Sequence, residues 1–402
     1  MAKKISTIQR IRAARRAWKV GRIDDLSKLI TNNDIDYGVT VNHDTSLCFA
    51  AVFAAIKLLS ENIASLPKSV KLETPDGAVS ATDHPVYRLL RVHPNDYTDV
   101  FTFWFSIVAS VLGWGNAFAV IEFDNGVPKA LHFVPSDCVA VGFNNGKKTF
   151  TVNCADPKRK WLNGTYLNWE VLHFMYYSED GIYGLDPITV NASAIGRGLA
   201  TQKFSADFYR KGGQIKGVLE TDGSLGETAY KNFLKHYQEA ATNFSTPLLE
   251  YGVKYKGIGI SPIAAQLIQS ETLSIQDIAR IFSVPPHLLA EMTHATFSNI
   301  EQQNIFFGVY SLRPLCKRLE QQLENKLFTD DERAYSVKFD LRGMMRGDDT
   351  ARANYYASGI NAGWMTPNEA REQEEMIKLP GLDKPRIPLN YVEVGEDEDK
   401  NA

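Results

Sequence analysis

Apolar residues recur at helical steps through Leu47, Ala51, Ala54 and Leu58, after a cap near Asp44 and before Pro67, which predicts a buried helix. A second helix is predicted after Thr98-Asp99, running through Phe103, Trp104, Ile107, Val108 and Val111 to Gly113, with its aromatics in the core. The period then changes. Short strands are predicted over 117–122, 130–134, 139–143 and 149–152, with turns at Asn125-Gly126 and Asn144-Asn145-Gly146. Asn and Gly tolerate positive φ, so these dipeptides between alternating apolar runs signal antiparallel hairpins. Asn163-Gly164 and a strand over 171–176 extend the same region.

Asp186-Pro187 opens a long helical pattern over 188–211, about 36 Å at 1.5 Å per residue, with Gly212-Gly213 as its stop. A small β-α-β pattern follows over 217–220, 227–241 and 248–255. Pro262 begins a second long helix through Leu267, Leu273, Ile278 and Phe282, halted by Pro285-Pro286. A third starts at the Ser298/Glu301 capping box. Its expected buried stripe is Ile305, Val309, Leu312, Leu315, Leu319, Leu323 and Leu327, with a kink at Pro314. A strand near 337–339 precedes a helical C-terminal part, where Thr366-Pro367-Asn368-Glu369 reads as a capping box with proline at the first helical position.

Composition narrows the function. The 402 residues suit two to three domains, and 44% apolar with 23% charged residues is an ordinary globular balance. A net charge of -3 excludes a chain that is basic throughout and grips nucleic acid by phosphate neutralisation alone. Four scattered cysteines form no C-x-x-C pair, so neither a zinc ribbon nor a disulfide frame is indicated, and a reducing cytoplasm is the natural setting for assembly. The basic segment 1–22 lacks the apolar core of a secretion signal; its Ile5, Ile8, Ile11 and Trp18 fit either an amphipathic helix or a frayed terminus. The apolar run 47–66 is broken by Lys57, Ser60, Glu61 and Asn62, which argues against a membrane span. The acidic tail 393–402 is expected to be solvated.

Catalytic motifs are missing. There is no phosphate-binding G-x-x-x-x-G-K-[ST], no G-x-S-x-G, no H-E-x-x-H and no EF-hand loop. His287 and His294, seven residues apart, make a poor metal pair. Asp348-Asp349 and Asp330-Asp331-Glu332 could be imagined as a two-metal nuclease site, but neighbouring residues on a helix point to different faces, which favours caps and solvated turns. No cofactor or metal is expected. A different feature stands out: the 32 residues between Arg280 and Arg313 hold no Lys or Arg, where 44 in 402 would place three or four.

Taken in order, several motifs resemble the HK97-type portal proteins of tailed bacteriophages. They include Gly115-Asn116-Ala117-Phe118, Val171-Leu172-His173-Phe174, Gly184-Leu185-Asp186-Pro187-Ile188, and Phe208-Tyr209-Arg210-Lys211-Gly212 followed by Gly217-Val218-Leu219. The densest run spans Ile278-Ala279-Arg280-Ile281-Phe282-Ser283-Val284-Pro285-Pro286-His287-Leu288-Leu289. Phe297-Ser298-Asn299-Ile300-Glu301-Gln302-Gln303, Leu312-Arg313-Pro314, Arg346-Gly347-Asp348 and Asn368-Glu369-Ala370-Arg371 follow. Ser283 and Ala290 depart from the family, which often has glycine there.

The resemblance implies an α+β fold of portal architecture. After a basic arm (1–44) it comprises an antiparallel β/α wing (45–185), a stem helix (186–212), a small β-α-β clip (213–260) and a second stem helix (261–283). A tunnel loop (284–300), a wing return with a kinked helix (301–340), and a helical crown with the acidic tail (341–402) complete it. It further implies a non-enzymatic virion protein, assembled in the host cytoplasm as a dodecamer at one capsid vertex and passing double-stranded DNA. Its partners would be the major capsid protein, the large terminase subunit that supplies the packaging ATPase, and a head-to-tail connector; no membrane is involved. The DNA-channel candidates are Glu291, Met292, Thr293, His294, Ala295, Thr296 and Phe297, and the docking candidates on the clip are Lys231, Lys235 and His236. A metal-dependent nuclease using Asp348 and Asp349 is the alternative from a different class, and a membrane-surface scaffold using the basic arm is a third.

Overall fold

The structure is a computed structural model that describes residues 38–75, 77–210, 217–220, 226–242, 254–257, 263–289, 303, 305–341, 349–374 and 376–386. The chain forms two compact units, 1–339 and 340–402.

The first helical pattern is interrupted. Helix α1 (His43–Leu47) carries a capping box between Asn42 and Thr45, and α2 (Ala50–Ser65) restarts after Phe49, whose backbone is extended. The break turns the buried Phe49 ring onto Gly198, where a Cβ would lie 2.5 Å from the ring. Helix α4 (Val100–Trp114) is capped by Asp99, which accepts from Thr102 N at 2.8 Å; it buries Phe103 and Trp104 and packs along α2.

Three small antiparallel sheets surround these helices. The first has the order β4-β3-β8, formed by β4 (Val127–Val134), β3 (Asn116–Asp124) and β8 (Val171–Met175). The second has the order β5-β6-β7, formed by β5 (Val139–Asn144), β6 (Lys147–Val152) and β7 (Gly164–Leu167). Both expected hairpin turns are present with positive φ, at Asn125 and Gly126 and at Asn145 and Gly146. Asn163 has a different role: its amide side chain bonds the backbone of Cys154 through both N–H and C=O. Phe118, Val134, Phe150, Val152 and Val171 join the two sheets in one apolar cluster.

In the third sheet the hydrophobic pattern assigned only the strand near 337–339; its other two strands were not expected. Strand β1 (Lys68–Thr74) lies between β2 (Gly77–Ser80) and β11 (Tyr335–Phe339), with Leu72 opposite Tyr335, and α3 (Pro85–Arg91) follows with His84 as its cap. The backbone N–H groups of Val337 and Phe339 donate to Glu324 and Glu320 at 3.0 and 2.9 Å, so side chains satisfy the outer edge of β11.

The expected helix over 188–211 is two pieces, α5 (Pro187–Val190) and α6 (Ala192–Arg210). At the break, Asn191 donates its side-chain amide to the Pro187 carbonyl at 2.8 Å, an alternative to the helical ladder. The Gly212-Gly213 stop lies outside the described residues. Helix α8 (Ile263–Ile281) packs on α6, and Asp277 ties them by binding Arg197 of α6 and Arg280 of its own helix. Between them in sequence lie β9 (Gly217–Glu220), α7 (Glu227–Thr242) and β10 (Lys254–Gly257); β9 and β10 pair antiparallel with Leu219 opposite Tyr255. The second strand thus includes Lys256 and Gly257, beyond the expected end at 255, and 248–253 lie outside the described residues.

Helix α8 ends with Ser283 at φ +54, in the left-handed region, while Val284 N donates back to Ala279 O at 2.8 Å. This is a position suited to glycine, and a side chain there costs about 1 kcal/mol. Ser283→Gly should therefore raise stability by about that amount, read as a higher urea midpoint; an unchanged midpoint would argue against the left-handed backbone.

Pro314 does not kink a continuous α-helix. Residues Phe307–Leu312 form a π-helical turn in which Arg313 N–H reaches back to Gly308 O, and Pro314 sits in the first turn of α9 (Arg313–Leu327). Proline has no N–H to give and crowds the carbonyl four residues earlier; placing it at a helix start behind a wider turn avoids both problems. The wider turn also shifts the helical phase. Leu312, Leu315, Leu319, Leu323 and Leu327 are buried as expected, but upstream the buried positions are Phe307 and Ser311, and Ile305 and Val309 are exposed beside Phe306 and Tyr310. The Ser298/Glu301 box lies outside the described residues. In the second unit, α10 (Asp349–Asn361) precedes α11 (Pro367–Gln373), and Thr366 and Glu369 form the expected reciprocal cap.

Candidate functional site

Three separated motifs meet where the first sheet passes into the long helices. Helix α4 ends at Gly115, φ +70, and an added Cβ there would lie 2.1 Å from the Leu185 carbonyl oxygen. Reciprocally, a Cβ on Gly184 would lie 2.0 Å from the Gly115 carbonyl oxygen. Only a glycine pair allows two backbones this close.

Asn116 follows and is fully buried. Its Oδ1 accepts from Gly184 N at 2.8 Å and His173 Nε2 at 2.9 Å; its Nδ2 donates to Gly184 O at 2.8 Å and Trp114 O at 3.2 Å. All four hydrogen-bonding positions of the amide are used. His173 Nε2–H is the donor here, which leaves Nδ1 to accept from Lys148 Nζ at 3.0 Å. Burial, then the Lys148 and Lys326 charges, push the imidazole well below its ordinary range, so it is neutral at pH 7.

Asp186 completes the junction as the cap of α5. It accepts from Ile188 N at 2.9 Å and from the Thr189 hydroxyl and N–H, and lies 2.9 Å from His43 Nε2. Burial works against its charge, but His43 and Thr189 outweigh burial and hold the carboxyl below the ordinary range. His43 stacks on Trp114 with ring centroids 3.4 Å apart. The arrangement holds no activated nucleophile; it locks the sheet, the first helix and the long helices at one fixed joint.

Other expected residues fall elsewhere. Lys231, Lys235 and His236 are exposed on α7, where Lys231, 71% exposed, pairs with Glu227 at 2.7 Å. Glu291, Met292, Thr293, His294, Ala295, Thr296 and Phe297 lie outside the described residues. The chain leading to them ends in a short 3-10 turn (Pro286–Leu289), beside a cleft of about 430 Å3 lined by Arg280, Pro285, Pro286, Phe306 and Tyr310. His287 Nδ1 lies 2.6 Å from Gln303 Oε1. Asp330–Glu332 form a 3-10 turn capped reciprocally with Thr329, and Asp349 begins α10, while Asp348 lies outside the described residues. Among the described residues no group of three or more His, Cys, Asp or Glu side chains could hold a metal, and no helix is long and apolar enough to cross a membrane.

The joint was present in the sequence only as separate strings, Gly115-Asn116, His173 and Gly184-Leu185-Asp186-Pro187. The usable signal was glycine at both backbone crossings.

This architecture is an α+β fold organised around a close-packed glycine joint. The family model described as phage portal protein matches residues 50–375, and the chain belongs to that family. Its members are structural, non-enzymatic proteins of the virion. The chain is 31% identical over 386 residues to the "Probable portal protein" of Streptomyces phage phiC31, covering 90% of this chain and 82% of that protein. The fold is similar to an HK97 family phage portal protein from Corynebacterium diphtheriae, with a TM-score of 0.57 and 17% identity over 78% of this chain and 100% of that one. It is also similar to a chain from the neck of a native gene transfer agent particle, computed with C12 symmetry, with a TM-score of 0.54 and 22% identity over 83% of this chain and 93% of that one.

Proposed function

We propose that this chain is one subunit of a twelve-membered ring at a single capsid vertex, through which double-stranded DNA enters during packaging and leaves during ejection. The family match over 50–375 carries this reading, and the twelvefold symmetry of the similar particle neck supports the number. The two-stranded β9/β10 ribbon and α7, placed in sequence between α6 and α8, suit a clip at the end of a two-helix stem. Lys231, Lys235 and His236 are exposed there and form the surface that meets the large terminase subunit and later a connector. The first two sheets and α4 suit a wing against the major capsid protein. Assembly takes place in the host cytoplasm, before release of the particle.

A conduit for a polyanion must not grip it. Affinity rises with each phosphate neutralised, and log K falls by about 0.9 per phosphate per decade of salt, so twelvefold rings of lysine would hold DNA in place. The stretch between Arg280 and Arg313 contains no Lys or Arg, and it includes Glu291, Met292, Thr293, His294, Ala295, Thr296 and Phe297 as the channel-lining loop. Electron microscopy of the purified protein should show rings with a central hole. A chain that stays monomeric alone and within particles would overturn the reading. In a packaging assay Glu291→Lys with Thr293→Lys should slow DNA translocation, and unchanged rates would exclude these residues from the channel.

A further inference from the structure

The joint described above lies beside two lysines that make no ion pair among the described residues. Lys148 of β6 donates through Nζ to Ile182 O at 2.7 Å and to His173 Nδ1 at 3.0 Å. Lys326, in the last turn of α9, donates to Asn168 O. Both are half-buried. Among the described residues no carboxylate lies within ion-pairing distance of either. The acid that acts on Lys148 is Asp180, and its Oδ1 is already committed to the Ser178 hydroxyl, Ile182 N and Tyr183 N. Burial, reinforced by repulsion from Lys326, pulls Lys148 down to about 8, and burial lowers Lys326 as well. His173 adds hydrogen bonding without charge. Arg318, earlier on α9, extends the positive surface toward Met175 O and the Tyr176 ring.

We propose that Lys148 and Lys326 form a binding site for a doubly charged tetrahedral oxyanion, with free inorganic phosphate as its ligand. The donor arithmetic fits. An ammonium has three N–H donors; Lys148 uses two and Lys326 one, which leaves three for a ligand, and because Thr149 pairs with Leu167, Lys148 sits across from Asn168, the residue that Lys326 binds. The charge arithmetic fits as well, because a monoanion would neutralise one ammonium and leave the repulsion with the other, whereas phosphate carries about −1.5 to −2 charge near neutral pH. The partly buried setting strengthens each charge-assisted bond relative to one at the open surface. This assignment does not depend on the portal reading.

The test uses the full chain and inorganic phosphate. Isothermal titration calorimetry at neutral pH should detect phosphate binding, with acetate at matched ionic strength giving none. Lys148→Met and Lys326→Met should each weaken phosphate binding at least about tenfold, the loss expected for one charged hydrogen-bonding partner. Lys57→Met, on the exposed face of α2, should not. A second arm titrates a short duplex, whose phosphodiesters carry one charge each: duplex affinity that falls in Lys148→Met and is competed by phosphate overturns the requirement for a doubly charged ligand. Phosphate binding with duplex affinity unchanged identifies the free ion. Phosphate indistinguishable from acetate on the unmodified chain overturns the site even if neither variant folds, and so do folded variants that keep full phosphate affinity.

Discussion

Gly184→Ala should cost more than about 3 kcal/mol, enough to leave much of the chain insoluble or with a sharply lowered melting temperature. The reason is backbone against backbone. The new Cβ would sit 2.0 Å from the Gly115 carbonyl oxygen and 3.0 Å from Asn116 Oδ1, and neither is the free end of a flexible side chain. Relief requires the 177–186 segment to move away from β3. That movement breaks the two Asn116–Gly184 hydrogen bonds at 2.8 Å and leaves a fully buried amide without partners. Each such loss costs about 1–3 kcal/mol. Gly142→Ala is the control, because its Cβ would meet only Thr149 Oγ1, at 3.8 Å. Melting curves followed by circular dichroism should separate the two variants widely. Equal melting temperatures would mean that the strands do not approach as closely as the joint requires.

The joint also shows which features the sequence made legible. Hairpin turns at Asn125-Gly126 and Asn145-Gly146 and the Thr366/Glu369 cap were readable because their chemistry is local: four consecutive residues contain both the constraint and its satisfaction. Strands β1 and β2 were not. Val70 and Leu72 form only a short alternating run, and the partner that makes it a strand, Tyr335–Phe339, arrives more than 260 residues later. The stripe through Ile305 and Val309 failed for a different reason. Helical spacing assumes an unchanged phase, and the π turn ahead of Pro314 rotates everything upstream of it. The candidate site falls between these cases: each motif was visible, but the contact among Gly115, Asn116, His173 and Gly184 is a property of three chain segments together. The clip and tunnel residues were chosen from family resemblance, and their roles rest on the proposed function.

Lys68→Met should stabilise the protein at neutral pH by about 3 kcal/mol, with an advantage that shrinks as pH rises. Lys68 is 2% exposed at the start of β1, its ammonium donating to the Ala64 carbonyl between the Trp104 and Phe339 rings at 5.7 and 5.5 Å. Burial pulls the ammonium from 10.5 to about 7, and the neighbouring Cys316 thiol, itself pushed up to about 12 by burial, opposes this only weakly. The sign follows from proton counting. Between about pH 7 and 10.5 the unfolded chain keeps the Lys68 proton and the folded chain has lost it, so stability rises with pH across that window. Below it both states are protonated and the full penalty of a buried ammonium is present. The whole span corresponds to about 5 kcal/mol, and methionine gives back about 2 of it by losing the hydrogen bond to the Ala64 carbonyl. Methionine fills the same channel without a charge, so it avoids the penalty where the penalty exists and gains nothing where lysine is neutral in both states. Urea unfolding of both proteins near pH 7 and near pH 10 measures the difference directly. A gap that stays constant with pH, or a methionine variant less stable at pH 7, would show that the ammonium keeps its proton in the fold at no cost.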